Sequence, residues 1–281
     1  VLICMTTLIT NAQQKTPSKK IKVFLLAGQS NMDGRAKGGN ISEEDQKRLK
    51  KAQQNVTLYY NFAEGKPLDV TKAFPYVVKT FDTKTIFGPE LFFGIRMSEK
   101  YPEHKIILIK RSRGNMSLYG AWNPEWNEQN AILMKEGDQP KLYSEFVDYS
   151  KKVLSKLKPN SYDLCGMLWV QGEADAVKIK TSKAPGIKYE ENLEKLISYV
   201  RKDFNHPKLP FLLFQVGNGK VVEGMKNVAK KDDNVILIPQ ETDINSSFYF
   251  EQNPPPIWHY TAKSMKKMGE YFFEFYNKKY N

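Results

Sequence analysis

The sequence predicts an α/β fold, a parallel sheet covered by helices on both faces, and three observations lead there. Apolar strand-like runs alternate with amphipathic helical ones along the chain. The stretch IKVFLLAGQSNMDGR, Ile21–Arg35, begins as a run of apolar β-formers and passes through a glycine into a serine. Such a passage lifts a side chain into the crevice at the carboxyl ends of parallel strands. Finally, 281 residues, 41% of them apolar and 12% aromatic, suffice for a sizeable core, with no compositional break between two units. We therefore expect one globular domain over residues 14–281.

The elements follow in chain order. Residues 1–13 open with VLICMTTLIT, apolar but too short to span a membrane, and run into a polar Lys/Pro/Ser segment. They read as the remnant of a secretory signal, so the protein is expected to be exported, periplasmic or secreted, with Cys4 leaving in the signal. Strands are predicted at Lys22–Ala27, Val56–Tyr60, Lys105–Lys110, Leu164–Val170, Phe211–Val216 and Val235–Ile238. Helices are predicted at Glu43–Gln53, Glu90–Lys100, Lys141–Leu157, Tyr189–Phe204, Val221–Ala229 and Thr261–Tyr276. In Tyr189–Phe204, Leu193, Leu196, Ile197 and Val200 recur at helical spacing while Glu190, Glu191, Glu194 and Lys195 fall off that face, so this helix packs by one side. Cys165 stands alone in a strand-like run and reads as a buried, inert thiol, which leaves no disulfide framework and no cysteine metal site. Pro254-Pro255-Pro256 is the one stiff segment, and it sets up the approach to His259.

The formal charge is +12, from 43 basic and 31 acidic residues. That balance suits an anionic partner, yet the lysines are scattered, as a solvated surface would have them. A nucleic-acid-binding chain would show a basic stripe interleaved with aromatics, and none is present.

Three predicted strands end in chemically suggestive turns: Gly28-Gln29-Ser30-Asn31, Arg113-Gly114-Asn115 and Gln171-Gly172-Glu173. Neighbouring parallel strands share one rim, so the Ser30 hydroxyl, a Gly114 N–H and the Gln171 amide can converge there as a nucleophile and an oxyanion hole. The serine needs a base. His104 and His206 sit in turns beside prolines, whereas His259 follows the stiff loop and precedes a helix, which makes it the candidate.

These residues resemble the SGNH-type carbohydrate esterases, in particular the sialate O-acetylesterase and acetylxylan esterase group, carbohydrate esterase family six. The resemblance rests on GQSNMDGR at 28–35, FGPEL at 87–91, IKRSRGNMSLYGAW at 109–122, WVQGEADA at 169–176 and WHYTAKSMKKMG at 258–269. It implies a three-layer α/β/α sandwich that removes O-acetyl groups from sugars without a metal or other cofactor. Ser30 would be the nucleophile, its N–H with that of Gly114 and the Gln171 amide the oxyanion hole, and His259 the base.

One position departs from that pattern: the family usually has an aspartate three residues before the histidine, and this chain has Pro256. Either a backbone carbonyl in Pro254–Ile257 orients a Ser30–His259 dyad, or an acid elsewhere substitutes, Asp243, Glu251 and Glu173 being the candidates. Glu173 and Asp175 otherwise read as residues that orient loops, and Arg35 as a loop anchor.

Aromatic faces suit sugars, which makes Trp122 and Trp258, with Tyr119 and Trp126, candidates for contact or for plain packing. Arg111 and Arg113 flank Gly114; they either grip a substrate carboxylate, as of a sialic or uronic acid, or pair with Glu90 or Glu173. The expected partner is an O-acetylated glycan, an acidic one favoured and acetylxylan the alternative. A carbohydrate-binding pseudoenzyme that lost turnover with the aspartate is the competing reading, and a basic surface-binding protein without chemistry a third. The sequence gives no oligomeric state.

Overall fold

The computed structural model describes residues 19–176, 182–255 and 257–280; the expected signal remnant with Cys4 lies outside them. Ten strands form among the described residues: β1 Ile21–Gly28, β2 Ala36–Lys37, β3 Val56–Tyr60, β4 Lys66–Pro67, β5 Thr71–Lys72, β6 Thr85–Phe87, β7 Ile106–Ser112, β8 Tyr162–Val170, β9 Phe211–Phe214 and β10 Val235–Ile238. Eleven α-helices accompany them: α1 Ser30–Asp33, α2 Glu43–Ala52, α3 Pro75–Phe81, α4 Pro89–Lys100, α5 Glu128–Leu133, α6 Leu142–Leu154, α7 Glu173–Ala176, α8 Ala184–Ile187, α9 Tyr189–Asp203, α10 Gly219–Lys231 and α11 Ala262–Tyr280.

A strand apolar on both faces needs cover on both, and β1, with Val23 to Ala27 sealed from solvent, sits mid-sheet for that reason. The main sheet runs β10-β9-β8-β1-β7-β3-β4, parallel throughout except for β4, which pairs antiparallel with β3. Alternation along β1 and β8 assigns the helical layers. Phe24 meets Phe93 of α4 and Tyr276 of α11. Trp169, in register with Ala27 and so on the opposite face, bonds to Tyr189 of α9 and packs edge-on against Trp122. The result is a helix–sheet–helix sandwich, as expected.

All six expected strands and all six expected helices form, with ends shifted by a few residues. The Val221–Ala229 helix, for example, starts two residues earlier at Gly219, and the last helix runs on to Tyr280 through Asn277, Lys278 and Lys279, polar residues that carry no apolar period. A small antiparallel sheet, β2-β6-β5, and helix α3 were not foreseen. Its strands are two or three residues long, too short for a period to show. Cys165 is half-buried and unpaired, and burial raises its thiol pKa.

The end of β1 is where the sheet meets the site. Gly28 has φ +151°, and a Cβ there would lie 2.1 Å from the Val170 carbonyl oxygen of β8, so only glycine lets the two strands stay paired up to Ser30. Gly28→Ala should therefore cost at least about 3 kcal/mol in urea unfolding, from strain plus strand displacement. A loss under about 0.5 kcal/mol would show the strand end free to move.

Candidate active site

Ser30 is the first residue of α1, two residues past the end of β1, with Gln29 between. That helix is a single turn tied to the sheet by Gln29 N–H to the Val170 carbonyl at 3.0 Å, and closed by Asp33 N–H to Gln29 O and Gly34 N–H to Ser30 O at 2.8 and 3.0 Å. Beside it, the turn after β7 is fixed by Arg113 N–H to Gly28 O at 3.2 Å. This brings Gly114 so close that a Cβ on it would sit 3.0 Å from an Arg35 nitrogen and 3.4 Å from Ser30 Cβ. Among the described residues no acceptor meets the N–H of Ser30 or of Gly114.

His259 reaches the same place from the far end of the chain. Its Nδ1 lies 2.5 Å from the Ile257 carbonyl oxygen, and its own carbonyl accepts from Asn253 N and Nδ2 at 2.8 and 2.9 Å. Between them Trp258 takes φ +56°, the left-handed turn that folds the Ile257 carbonyl back onto the ring. Burial depresses the imidazole pKa; the Ile257 contact and the Asp33 charge oppose that, while Arg35 adds to it. Ser30, Gly114 and His259 line one cavity of about 620 Å³, together with Asp33, Asn61, Phe74, Tyr76, Arg111, Arg113 and Asn115.

A buried polar network underlies the Ser30 turn. The Asp33 carboxylate accepts from Arg35 at 3.0 Å and from the Tyr60 hydroxyl at 3.3 Å; Arg35 also donates to Gly34 O at 2.7 Å and to the Tyr76 hydroxyl. Lys110, wholly buried, donates to Asp33 O at 3.0 Å and pairs at 2.7 Å with equally buried Glu90. Burial lowers the Lys110 pKa and the Glu90 charge works against that.

A second pair of carboxylates holds the loop that carries Gly114. Glu136 accepts from Ser117 N and Ala121 N at 2.8 and 2.7 Å and from the Ser117 hydroxyl at 3.0 Å. Asp175 accepts from Leu118 N and Tyr119 N, both at 2.9 Å, and from the Gln171 amide at 2.5 Å. Burial raises both carboxyl groups, Asp175 to about 7.

The remaining sequence candidates fall elsewhere. Gln171 does not reach the cavity: fully buried, its amide is spent on Met116 O at 3.2 Å and on Asp175. Trp122 is a core residue against Trp169 and Phe146, not a substrate contact. Trp258 is 63% exposed and outside the cavity lining. Arg111 is buried and paired with Glu145 at 2.5 Å, rather than with Glu90 or Glu173. Arg113 is exposed at the cavity, donates to the Gln139 side chain at 2.7 Å, and has no ion pair among the described residues. None of the three candidate acids bonds to His259: Asp243 caps Asn245 N at 2.9 Å, Glu251 is exposed, and Glu173 accepts from Asn31 at 2.6 Å. Among the described residues no cluster of potential metal ligands forms.

Sequence reasoning missed Asp33, Asn61, Phe74, Tyr76 and Glu136. Only Asp33 carried a signal, its place in the Ser30 turn; the others come from segments with no motif.

The sequence model of the carbohydrate esterases described as sialic acid-specific acetylesterase matches residues 20–278. The chain belongs to that family. It is accordingly a carbohydrate esterase, a carboxylic ester hydrolase. Solved structures of similar fold include an Arabidopsis thaliana protein, with TM-score 0.61 and 18% identity over 93% of this chain and 100% of that one. NanS aligns with TM-score 0.61 and 15% identity over 93% and 98%. A carbohydrate acetylesterase from Xanthomonas citri aligns with TM-score 0.57 and 18% identity over 89% of this chain and 55% of that longer one. No curated protein matches by sequence.

The esterase's Gly114 loop depends on carboxylate oxygens as acceptors, Asp175 being mostly ionised above about pH 7. Asp175→Asn replaces one with a donor facing Leu118 N, Tyr119 N or the Gln171 amide, at a cost of about 1–3 kcal/mol. We expect a lower melting temperature and a kcat reduced at least about tenfold, with KM changing less. An unchanged kcat in the folded variant would separate the loop from turnover.

Proposed function

We propose that this esterase removes O-acetyl groups from an acidic sugar, a sialic or uronic acid, through a Ser30–His259 dyad. The observation that carries the reading is the convergence of Ser30, Gly114 and a carbonyl-held His259 on one cavity. Nδ1–H donates to Ile257 O, which fixes the tautomer and leaves the Nε2 lone pair for the Ser30 proton. Oγ adds to the acetyl carbonyl while Nε2 takes that proton, and the resulting oxyanion is met by the unpaired N–H groups of Ser30 and Gly114. The carbonyl then re-forms; the C–O bond to the sugar breaks and Nε2–H protonates the departing sugar oxygen, leaving acetyl-Ser30. Water, deprotonated by the same nitrogen, releases acetate and restores the hydroxyl. Gln171 takes no part in this scheme.

Because the neutral imidazole is the working form and burial depresses its pKa, kcat/KM should rise with pH through one ionisation centred below the ordinary histidine value of 6.5. Ser30→Ala should lower the rate by several orders of magnitude without changing the melting temperature. His259→Asn should remove both the activity and the limb, and Asp243→Asn should leave both within about twofold. A limb surviving in His259→Asn, or a collapse in Asp243→Asn, would refute the dyad.

The acidic preference rests on Arg113, exposed at the cavity and free of any carboxylate among the described residues. A guanidinium–carboxylate contact there contributes roughly 1.5–3 kcal/mol. Arg113→Ala should lower kcat/KM about ten- to hundredfold on O-acetylated sialic acid and leave acetylated xylo-oligosaccharides nearly unchanged. Equal losses on both would make Arg113 a structural residue.

A further inference from the structure

The cavity at Ser30, about 620 Å³, far exceeds what an acetyl group occupies, and part of its wall is aromatic. Phe74 and Tyr76 line it with ring planes 10° apart and centroids 6.2 Å apart. The Arg35 guanidinium lies 5.7 and 5.5 Å from the two rings and donates to the Tyr76 hydroxyl. Arg35 is itself buried and held by Asp33, so the ring that stands on it is fixed before any ligand arrives.

The core accounts for only one of the two rings. Val77 and Phe81 of α3 fill the small cluster with Ala73 and Ile86, and half-buried Phe74 packs against it, while Tyr76 remains 54% exposed. Its hydroxyl is already satisfied by Arg35, which leaves ring surface uncovered. Arg113 and Asn115, both exposed, supply polar groups elsewhere on the cavity lining. An apolar face bordered by hydrogen-bonding groups complements a pyranose, whose C–H face is apolar and whose rim carries hydroxyls.

We propose that Phe74 and Tyr76 form the stacking platform for the pyranose whose acetyl group is presented to Ser30, so that the pair sets sugar affinity and leaves the acyl chemistry to Ser30 and His259. The role resting on Trp122 and Trp258 in the sequence passes to these two residues. The proposal rests on the esterase reading only in placing the sugar ester in this cavity.

The test titrates Ser30→Ala protein with O-acetylated N-acetylneuraminic acid by calorimetry, alone and combined with Tyr76→Phe, Tyr76→Ala, Tyr76→Leu or Val78→Ala. In parallel, kcat/KM for that sugar and for ethyl acetate is measured with Ser30 intact. Tyr76→Ala should weaken sugar binding about tenfold and lower the sugar-to-ethyl-acetate ratio of kcat/KM by the same factor, Tyr76→Leu should do so less, and Tyr76→Phe should stay within twofold. Val78→Ala, exposed on the same helix but outside the cavity lining, should change nothing. No detectable binding to Ser30→Ala, or unchanged binding in folded Tyr76→Ala, overturns the platform. A loss in Tyr76→Phe equal to that in Tyr76→Ala also overturns it, because the hydroxyl–Arg35 bond would then be what matters. If neither ester is hydrolysed while binding still depends on the ring, the esterase reading fails and the platform stands.

Discussion

A lysine ammonium and a glutamate carboxylate sealed from water beneath the Ser30 turn are the constraint on which the rest of this site depends. Moving either ion alone into such a place costs several kcal/mol, so Lys110 and Glu90 must stay paired at 2.7 Å, with Lys110 also bonded to the Asp33 carbonyl. The pair fixes three chain segments at one point: the end of β7, the start of α4, and the last residue of the turn that begins at Ser30. Replacement by apolar residues of equal volume would cost nothing in solvation, but it would leave the Asp33 carbonyl without a donor. The buried ions therefore read as devices of position rather than of net stability.

The same economy recurs around Gly114. Backbone N–H groups in an irregular loop need acceptors, and a carboxylate offers two oxygens with no hydrogen to point the wrong way. Glu136 and Asp175 take four such N–H groups between them; these bonds favour the ionised form, while burial raises both carboxyl pKa values. Acceptors built into the protein hold the loop in place before substrate arrives, so that no reorganisation is needed as charge develops.

The sheet was legible because burial on both faces writes continuous apolar runs; its strand-end turns pointed to Ser30, Gly114 and Gln171 at one rim, and His259 was singled out by its place after the stiff loop and before a helix. What stayed hidden had no period to show. Strands β2, β5 and β6 are two or three residues long, and Phe74 and Tyr76 come from the α3 region they help to build, where no motif marks them. Gln171 and Trp122 were misplaced because a residue's position along the chain gives its neighbourhood, one at a strand end and the other in a loop, but not the direction of its side chain, and both are fully buried. The arginines divided along the same line. Arg111 belongs to β7 and turns to Glu145 under cover, whereas Arg113, two residues on, has left the strand and stays exposed.

The absent aspartate leaves a physical signature. In the proposed dyad, an aspartate beside imidazole would stabilise the imidazolium formed as Ser30 gave up its proton, and would hold the histidine pKa up. Here the Nδ1 partner is a neutral carbonyl, and the nearby charges oppose one another, Asp33 favouring the cation and Arg35 disfavouring it. A carbonyl can fix the tautomer as firmly as a carboxylate, because both accept one N–H, but it supplies only a dipole when charge appears. Burial then prevails and keeps the resting ring neutral. The proposed dyad thus gives up proton affinity in its base and retains the orientation of the ring. A less basic imidazole is a weaker proton acceptor yet, once protonated, a stronger acid toward the departing sugar oxygen. An ester with a poor alkoxide leaving group, as a sugar hydroxyl is, gains most from that second property.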